Sequence, residues 1–250
     1  MKRLLAVLNP TSLYRLAPFR YLVVLTRLKV LLKTRGLRQF AGHDSLPVTI
    51  DHNLRSLSRF NVRNEKLFYA CLHIENIEKA RTLIIGCRNE EEIFLFKGFG
   101  FDDVSAMDLI SYSPHVELGD MHAIDRPDDS VDFLYCAYTI AYSKSPAEAA
   151  AEFVRVVRDG GTIAIAVEYA PHEERSDIQR SLLGYDIAPD RSIATADALL
   201  DLFGENVGEV HVKYDAVQKK YHTATGLIPD PSPVIVVFSV SKSAEAAIAA

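Results

Sequence analysis

The sequence predicts an α/β protein in which a mostly parallel sheet is covered by helices on both faces and preceded by a basic helical extension. Three observations carry this reading. From Arg81 onward short apolar runs alternate with helix-period segments, the pattern of crossover units in a parallel sheet. The apolar content, 48% of 250 residues, suffices for one full core with a small added module. Charge also divides the chain: residues 1–40 carry nine Lys/Arg and no acid, and the rest carries 19 bases against 33 acids, so a +9 segment precedes a −14 body.

Taken in order, residues 18–35 place Tyr21, Leu25, Leu28 and Leu32 at helical spacing, with Arg20 and Arg27 on a different side and Pro18 suited to a helix start. Such a basic amphipathic helix either meets a membrane surface or partner, or packs on its own domain with its cations in solvent. Residues 36–63 read as a linker, and a second helix is expected over 64–80 with Asn64 as its N-cap. Strands follow at Thr82–Gly86, Val104–Asp108, Val131–Cys136 and Gly161–Val167, with a short one near Val116–Gly119. Helices lie between them at Glu90–Phe99 and Pro146–Arg158, the second stopped by Gly160 and Gly161. Beyond a loop-rich stretch come a helix over Ala194–Phe203 and strands over Glu209–Val217 and Pro233–Val240, which read as an antiparallel pair. The expected organisation is an extension and linker over 1–63, a main domain over 64–242 and a flexible tail over 243–250.

Several classes are disfavoured. Cys71, Cys87 and Cys136 are odd in number and form no C-x-x-C pair, which fits a reducing compartment and a cytoplasmic protein. The run Leu4–Leu8 is too short for a signal core. An acidic body argues against nucleic acid across the main domain. The eight histidines show no ligand spacing, so no metal is expected.

The chemistry-bearing positions cluster at expected strand ends. In LIIGCRNEEE, Gly86 permits a tight turn before a helix start whose N–H groups can face a ligand. Asp108 ends the next strand 22 residues later, where a carboxylate can accept both hydroxyls of a ribose, or can simply close a turn. Gly119-Asp120-Met121 offers an acceptor for an adenine amino group and a side chain to cover the ring, or an ordinary surface turn.

In order, LIIGC, SAMDLI, GDMHAIDRPDDSVDFLYCAYTIAY and EFVRVVRDGGTIAIAVE resemble the class I methyltransferases, in the branch often labelled type 11, over about residues 81–169. The family's D-x-S-F-D-x-V phrase appears as Asp129-Ser130-Val131-Asp132-Phe133-Leu134, and its R-V-L-x-P-G-G helix end as Arg155 to Gly161. The resemblance implies a Rossmann-like methyltransferase fold, a mostly parallel seven-stranded sheet with an antiparallel last strand, here with an N-terminal helical extension. It implies S-adenosyl-L-methionine as cofactor, held by Gly86, Cys87, Arg88, Glu90, Asp108, Leu109, Asp120, Met121, Cys136 and Tyr138. Tyr142, Glu168 and His172 follow strands that line the crevice and are the catalytic candidates, each with a packing or surface role as the alternative. His115 and His122 flank the adenine loop.

The first motif departs from the family. Where an acid precedes G-x-G-x-G, this chain has Ile84, then Arg88 and Glu90 at the second and third glycines. Arg88 and Glu90 either hold the cofactor's carboxylate and ammonium or pair with each other and close the pocket. The expected function is methyl transfer to a small-molecule or sugar/glycan-type acceptor, with peripheral membrane contact through residues 18–35 as a further partner. The alternative is a non-catalytic member of the fold that binds a nucleoside or a partner. A nicotinamide oxidoreductase fits less well, since Glu90 would repel a pyrophosphate.

Overall fold

A computed structural model describes residues 10–41, 53–55, 57–58, 62–143, 145–169, 193, 195–215, 220–223, 226–229 and 232–242. Its centre is a seven-stranded sheet in the order β5-β3-β2-β6-β7-β11-β8. The strands are β2 (Thr82–Ile85), β3 (Val104–Asp108), β5 (Glu117–Leu118), β6 (Val131–Ala137), β7 (Val157–Tyr169), β8 (Val207–Asp215) and β11 (Ser232–Val240). Parallel pairing joins β5, β3, β2, β6 and β7, while β11 runs antiparallel to both β7 and β8. The mostly parallel sheet with an antiparallel last strand is therefore as expected.

Every residue of β2 is buried, as a central strand covered on both faces requires. Helix α5 (Pro146–Val156) and helix α6 (Ala196–Asp201) bury Phe153, Val156, Ala196 and Leu199 with Leu134, Ile163 and Val236. Helix α3 (Val62–Cys71) and helix α4 (Glu91–Gly98) close the other face through Leu67, Phe68, Leu95 and Phe96 with Ile84 and Phe133. Phe96 and Tyr135 meet there edge to face with ring centroids 5.0 Å apart, and the Tyr135 hydroxyl donates to the Asn64 carbonyl at 2.6 Å.

The extension is built into this scheme. Helix α1 (Pro10–Leu13) and helix α2 (Ala17–Arg35) pack against α4, and β1 (Arg38–Gln39) pairs antiparallel with β4 (Ile110–Ser111). A parallel connection ordinarily needs a dozen or more residues and a helix, yet residues 109–116 between β3 and β5 contain no helix. Leu28 of α2 packs there instead, with Leu57, Ile110 and Tyr112. An N-terminal helix thus covers the side of the sheet that the local connection leaves open.

Several sequence expectations shift. The buried side of α2 is Arg20, Val24 and Leu28, whereas Tyr21, Leu25 and Leu32 are half-buried. The arginines face the domain because buried carboxylates wait there, a signal that hydrophobic spacing does not register. The second helix ends at Cys71, with turns and a 3₁₀ turn at Ile77–Lys79 completing the segment. Helix α5 stops at Val156, and Val157 is already extended. Gly160 and Gly161 sit instead in a bulge of β7, where the register moves from Val131 opposite Val157 to Phe133 opposite Thr162. The long C-terminal connection holds a hairpin, β9 (Lys220–Thr223) with β10 (Gly226–Pro229). The tail over 243–250 lies outside the described residues.

Candidate functional site

The candidate site lies where β2, β3 and β6 end side by side and the chain turns away. After β2, Gly86 takes φ +76, and a Cβ added there would stand 2.1 Å from Thr139 Oγ1 in the turn after β6. Glycine is thus required twice at this position, by backbone conformation and by the close approach of a neighbouring turn. Two residues on, Arg88 also lies in the left-handed region at φ +43. A side chain thus stands at the position of the family's second glycine in a backbone conformation that favours glycine. Glu90, at φ −85, needs no glycine and precedes α4 as its N-cap residue.

Asp108 closes β3 and is buried. Its Oδ2 accepts the Arg88 N–H at 2.9 Å and its Oδ1 accepts the Ile110 N–H at 3.2 Å. Burial pushes its pKa up from the ordinary carboxylate value, opposed by those two N–H groups and by the Arg88 guanidinium. The Asp108 carbonyl accepts from Gly119 at 3.1 Å, which brings the adenine-side loop against the end of β3. Met107 Cε would lie 2.5 Å from a Cβ at Gly119, so that glycine leaves room for a side chain of the neighbouring strand.

On that loop Asp120 Oδ1 accepts the His122 backbone N–H at 3.0 Å and lies 2.6 Å from His122 Nδ1. His122 Nε2 lies 2.6 Å from Ser143 Oγ, and Ser143 Oγ accepts the Ser145 N–H at 3.0 Å. With the Nδ1–H tautomer, Ser143 donates to Nε2. The chain Asp120–His122–Ser143 ties the loop after β5 to the turn after β6. Ser143 is buried, so this arrangement holds loops together and offers no accessible nucleophile.

Tyr138 is buried at φ +62 and its N–H donates to Ala166. Cys87 and Cys136 are buried, and burial raises both thiols, Cys136 to about 12, which keeps them neutral walls of the site. Leu109, Met121 and Thr139 are partly exposed, and Tyr142 is 43% exposed. The side chain of Glu168 and all of His172 lie outside the described residues. His115 is placed on the α2 side, where burial lowers its pKa and Arg27 and Lys97 add to that against Glu90.

The three consecutive carboxylates at the start of α4 are all buried, and each has a partner from the N-terminal segments. Glu90 receives Arg27 Nε at 2.6 Å and Nη2 at 2.8 Å, and also the Ser113 hydroxyl. Glu91 receives Arg20 at 3.4 Å, the same guanidinium that binds Glu65. Glu92 receives Asn64 Nδ2 at 2.8 Å. Of the expected pairings within the protein, Glu90 takes Arg27 rather than Arg88 among the described residues. Burial raises Glu91 to about 7 and Glu92 to about 8. Sequence reading missed Arg20, Arg27 and Thr139. Three adjacent acids beside a basic arm without acids were the available signal for the arginines, and nothing local marked Thr139.

These positions suit the nucleoside half of the implied cofactor, because left-handed turns approach a strand-end carboxylate that keeps unused lone pairs. On the amino-acid side, Glu90 is carried toward α2 and the Asn89 amide is bonded to Leu57 and Glu91, which leaves Arg88 as the other charged side chain of the turn.

Residues 98–165 match the family model described as a methyltransferase domain. The fold is that of the class I, Rossmann-like methyltransferases, and this stretch carries the type 11 signature. A putative methyltransferase from Bacillus halodurans superposes with a TM-score of 0.53 at 14% identity, over 72% of this chain and 100% of that one. A chain from the complex between the Haloferax volcanii Trm112 methyltransferase activator and the putative methyltransferase gives a TM-score of 0.51 at 16% identity, over 80% of this chain and 97% of that one. No curated protein sequence matches the chain. Family and fold imply use of S-adenosylmethionine.

Proposed function

We propose that the chain is an S-adenosylmethionine-dependent methyltransferase acting on a small-molecule or sugar/glycan-type acceptor. The observation that carries this is Asp108, a buried carboxylate at the end of β3 that is oriented by the N–H of a left-handed turn after β2. When bound, S-adenosylmethionine supplies an electrophilic methyl on sulfur. Asp108 accepts the ribose hydroxyls, while Gly86 and Cys87 let the backbone approach and Arg88 faces the carboxylate. Asp120 and Met121 take the adenine edge and face, and Leu109, Cys136 and Tyr138 form the walls. Methyl transfer depends mainly on holding the acceptor in line, and Tyr142, Glu168 and His172 are the groups proposed to do so. The −14 balance beyond residue 40 disfavours a polyanionic acceptor.

Titration calorimetry with S-adenosylmethionine and S-adenosylhomocysteine tests the reading. The expected Kd for S-adenosylhomocysteine is micromolar, roughly −8 kcal/mol. The second reading, a non-catalytic binding module, is favoured by one observation: the family's third glycine is a buried glutamate clamped by Arg27. A folded wild-type chain that binds neither ligand supports that reading.

Peripheral membrane contact through residues 18–35 has only Lys29, Lys33 and Arg35 to draw on, because Arg20 and Arg27 are engaged by glutamates of the domain. At about 1 kcal/mol per basic residue, this gives weak and salt-sensitive adhesion. Among the described residues no helix is long and apolar enough to cross a membrane.

A further inference from the structure

We infer that Arg27 is a positioning residue of the donor site, acting through Glu90 to hold the Gly86–Glu90 turn in the form that presents the Arg88 N–H to Asp108. The inference rests on the proposed donor site and adds a residue from outside the matched domain.

The turn cannot hold itself. Arg88 at φ +43 carries a Cβ in a conformation that favours glycine, and such a residue persists only where its surroundings over-determine it. Both ends of the turn are anchored. At the first, Gly86 N–H donates to Met107 at 2.8 Å and Thr139 covers the glycine. At the second, Glu90 is fully buried, and the Arg27 fork grips both of its carboxylate oxygens. A bidentate guanidinium fixes orientation as well as charge. Between the anchors, Asn89 donates to the Leu57 carbonyl at 3.2 Å and accepts the Glu91 N–H at 3.0 Å, so the N-terminal segments also hold the middle.

Arg20 and Asn64 act one and two residues further on, at Glu91 and Glu92 inside α4. Among the described residues Arg27 is the cation that reaches Glu90, the residue that joins the turn to the helix, with the Ser113 hydroxyl beside it. Without it the Glu90 carboxylate would be buried without its cation, and the turn would have to open to hydrate it. The cost would fall on the segment that faces Asp108.

The test compares wild type with Arg27→Gln, Arg27→Lys and the double variant Arg27→Gln/Glu90→Gln. Three quantities are read: the Kd for S-adenosylhomocysteine, amide exchange at residues 86–90 and the global melting temperature. Arg27→Gln is expected to raise Kd about tenfold and to speed exchange at 86–90, because an unpaired buried carboxylate opens the turn. The double variant, in which two neutral amides can pair, should recover most of both. Arg27→Lys, with the charge but not the fork, should fall between. An unchanged Kd in Arg27→Gln overturns the inference, as does equal weakening in single and double variants that tracks only the melting temperature. If wild type binds no donor analogue, the functional reading fails by itself. Exchange at 86–90 then still decides whether Arg27 holds the turn, and unchanged exchange overturns that too.

Discussion

Arg88 donates its backbone N–H to the Asp108 carboxylate at 2.9 Å, so the residue in the family's glycine position and the acid proposed to hold the ribose form one unit. The other carboxylate oxygen accepts from Ile110, and Asp108 thereby fixes the turn after β2 and the start of β4 together. Asp108→Ala should weaken S-adenosylhomocysteine binding by at least ~1.5 kcal/mol, about tenfold, through loss of charge-assisted bonds and of the turn's acceptor. Calorimetry on the folded variant measures this. Wild-type affinity in Asp108→Ala would remove the residue from the site.

Gly86→Ala carries two penalties, a left-handed φ and a methyl pressed onto Thr139. The positive φ alone costs about 1 kcal/mol or more, and the contact adds to it. Thr139→Ala should not rescue the variant, because the Thr139 Cβ itself lies 2.6 Å from the added methyl. Thr139→Gly should recover part of the loss. Urea unfolding of the single and double variants measures the coupling, and additive losses with Thr139→Gly would contradict the close approach.

Much of the sheet is legible in the sequence because β2, β6 from Phe133 and β7 from Ile163 to Val167 are apolar runs set between turn residues, a local signal. Asp108 is legible for the same reason, since a strand end and a spacing locate it. The side of α2 that faces the domain is not. Hydrophobic periodicity selects Tyr21, Leu25, Leu28 and Leu32, of which only Leu28 is buried; the buried line runs through Arg20, Val24 and Leu28, because the receiving surface contains Glu65, Glu90 and Glu91. A buried ion pair between residues 63 positions apart leaves no periodic trace. Nor does the missing crossover helix after β3: only the structure shows α2 lying beside Ile110 and Tyr112. The links between His122 and Ser143 and between Thr139 and Gly86 are likewise contacts between loops.

Stability should fall as pH rises through neutrality. Glu91 and Glu92 have folded pKa values of about 7 and about 8, above the ordinary 4.5, so the native state holds more protons than the unfolded state between those values. Below about pH 4.5 both states are protonated and these groups contribute no difference. As pH rises toward 8 the unfolded carboxylates ionise first, and stability is lost until the folded groups ionise as well. Glu92→Gln keeps an acceptor for Asn64 and removes one of the two titrations. Its melting temperature at pH 8 should exceed wild type by roughly 2–4 °C per kcal/mol recovered, with little gain at pH 5. Melting curves across this range check the sign, and a wild-type stability that rises from pH 5 to pH 8 with no flattening in Glu92→Gln would refute the assignment.

The basic extension should behave as part of the domain. Arg15 donates to the Gly98 carbonyl at 2.7 Å, Arg20 and Arg27 pair with buried glutamates, and Arg38 donates to the carbonyls of Ser113 and Val116. These contacts commit four of the nine cations of residues 1–40 to the protein itself, while Lys29, Lys33 and Arg35 lie on the exposed side of α2 with Leu22 and Val30. Removing residues 1–40 would strip Leu28 from Ile110 and Tyr112 and leave Glu90 and Glu91 buried without their arginines, so the truncated chain should lose solubility and cooperative unfolding. Replacing Lys29, Lys33 and Arg35 with Ala should leave the melting temperature within about 2 °C, since exposed charges contribute little. Co-sedimentation with anionic and neutral vesicles at low and high salt separates the two roles. The expected result is at most weak binding that needs anionic lipid, disappears at high salt and is lost in the triple variant. Tight binding to anionic vesicles that persists in the triple variant would mean that the committed arginines can leave the domain, and the extension would then be a membrane element.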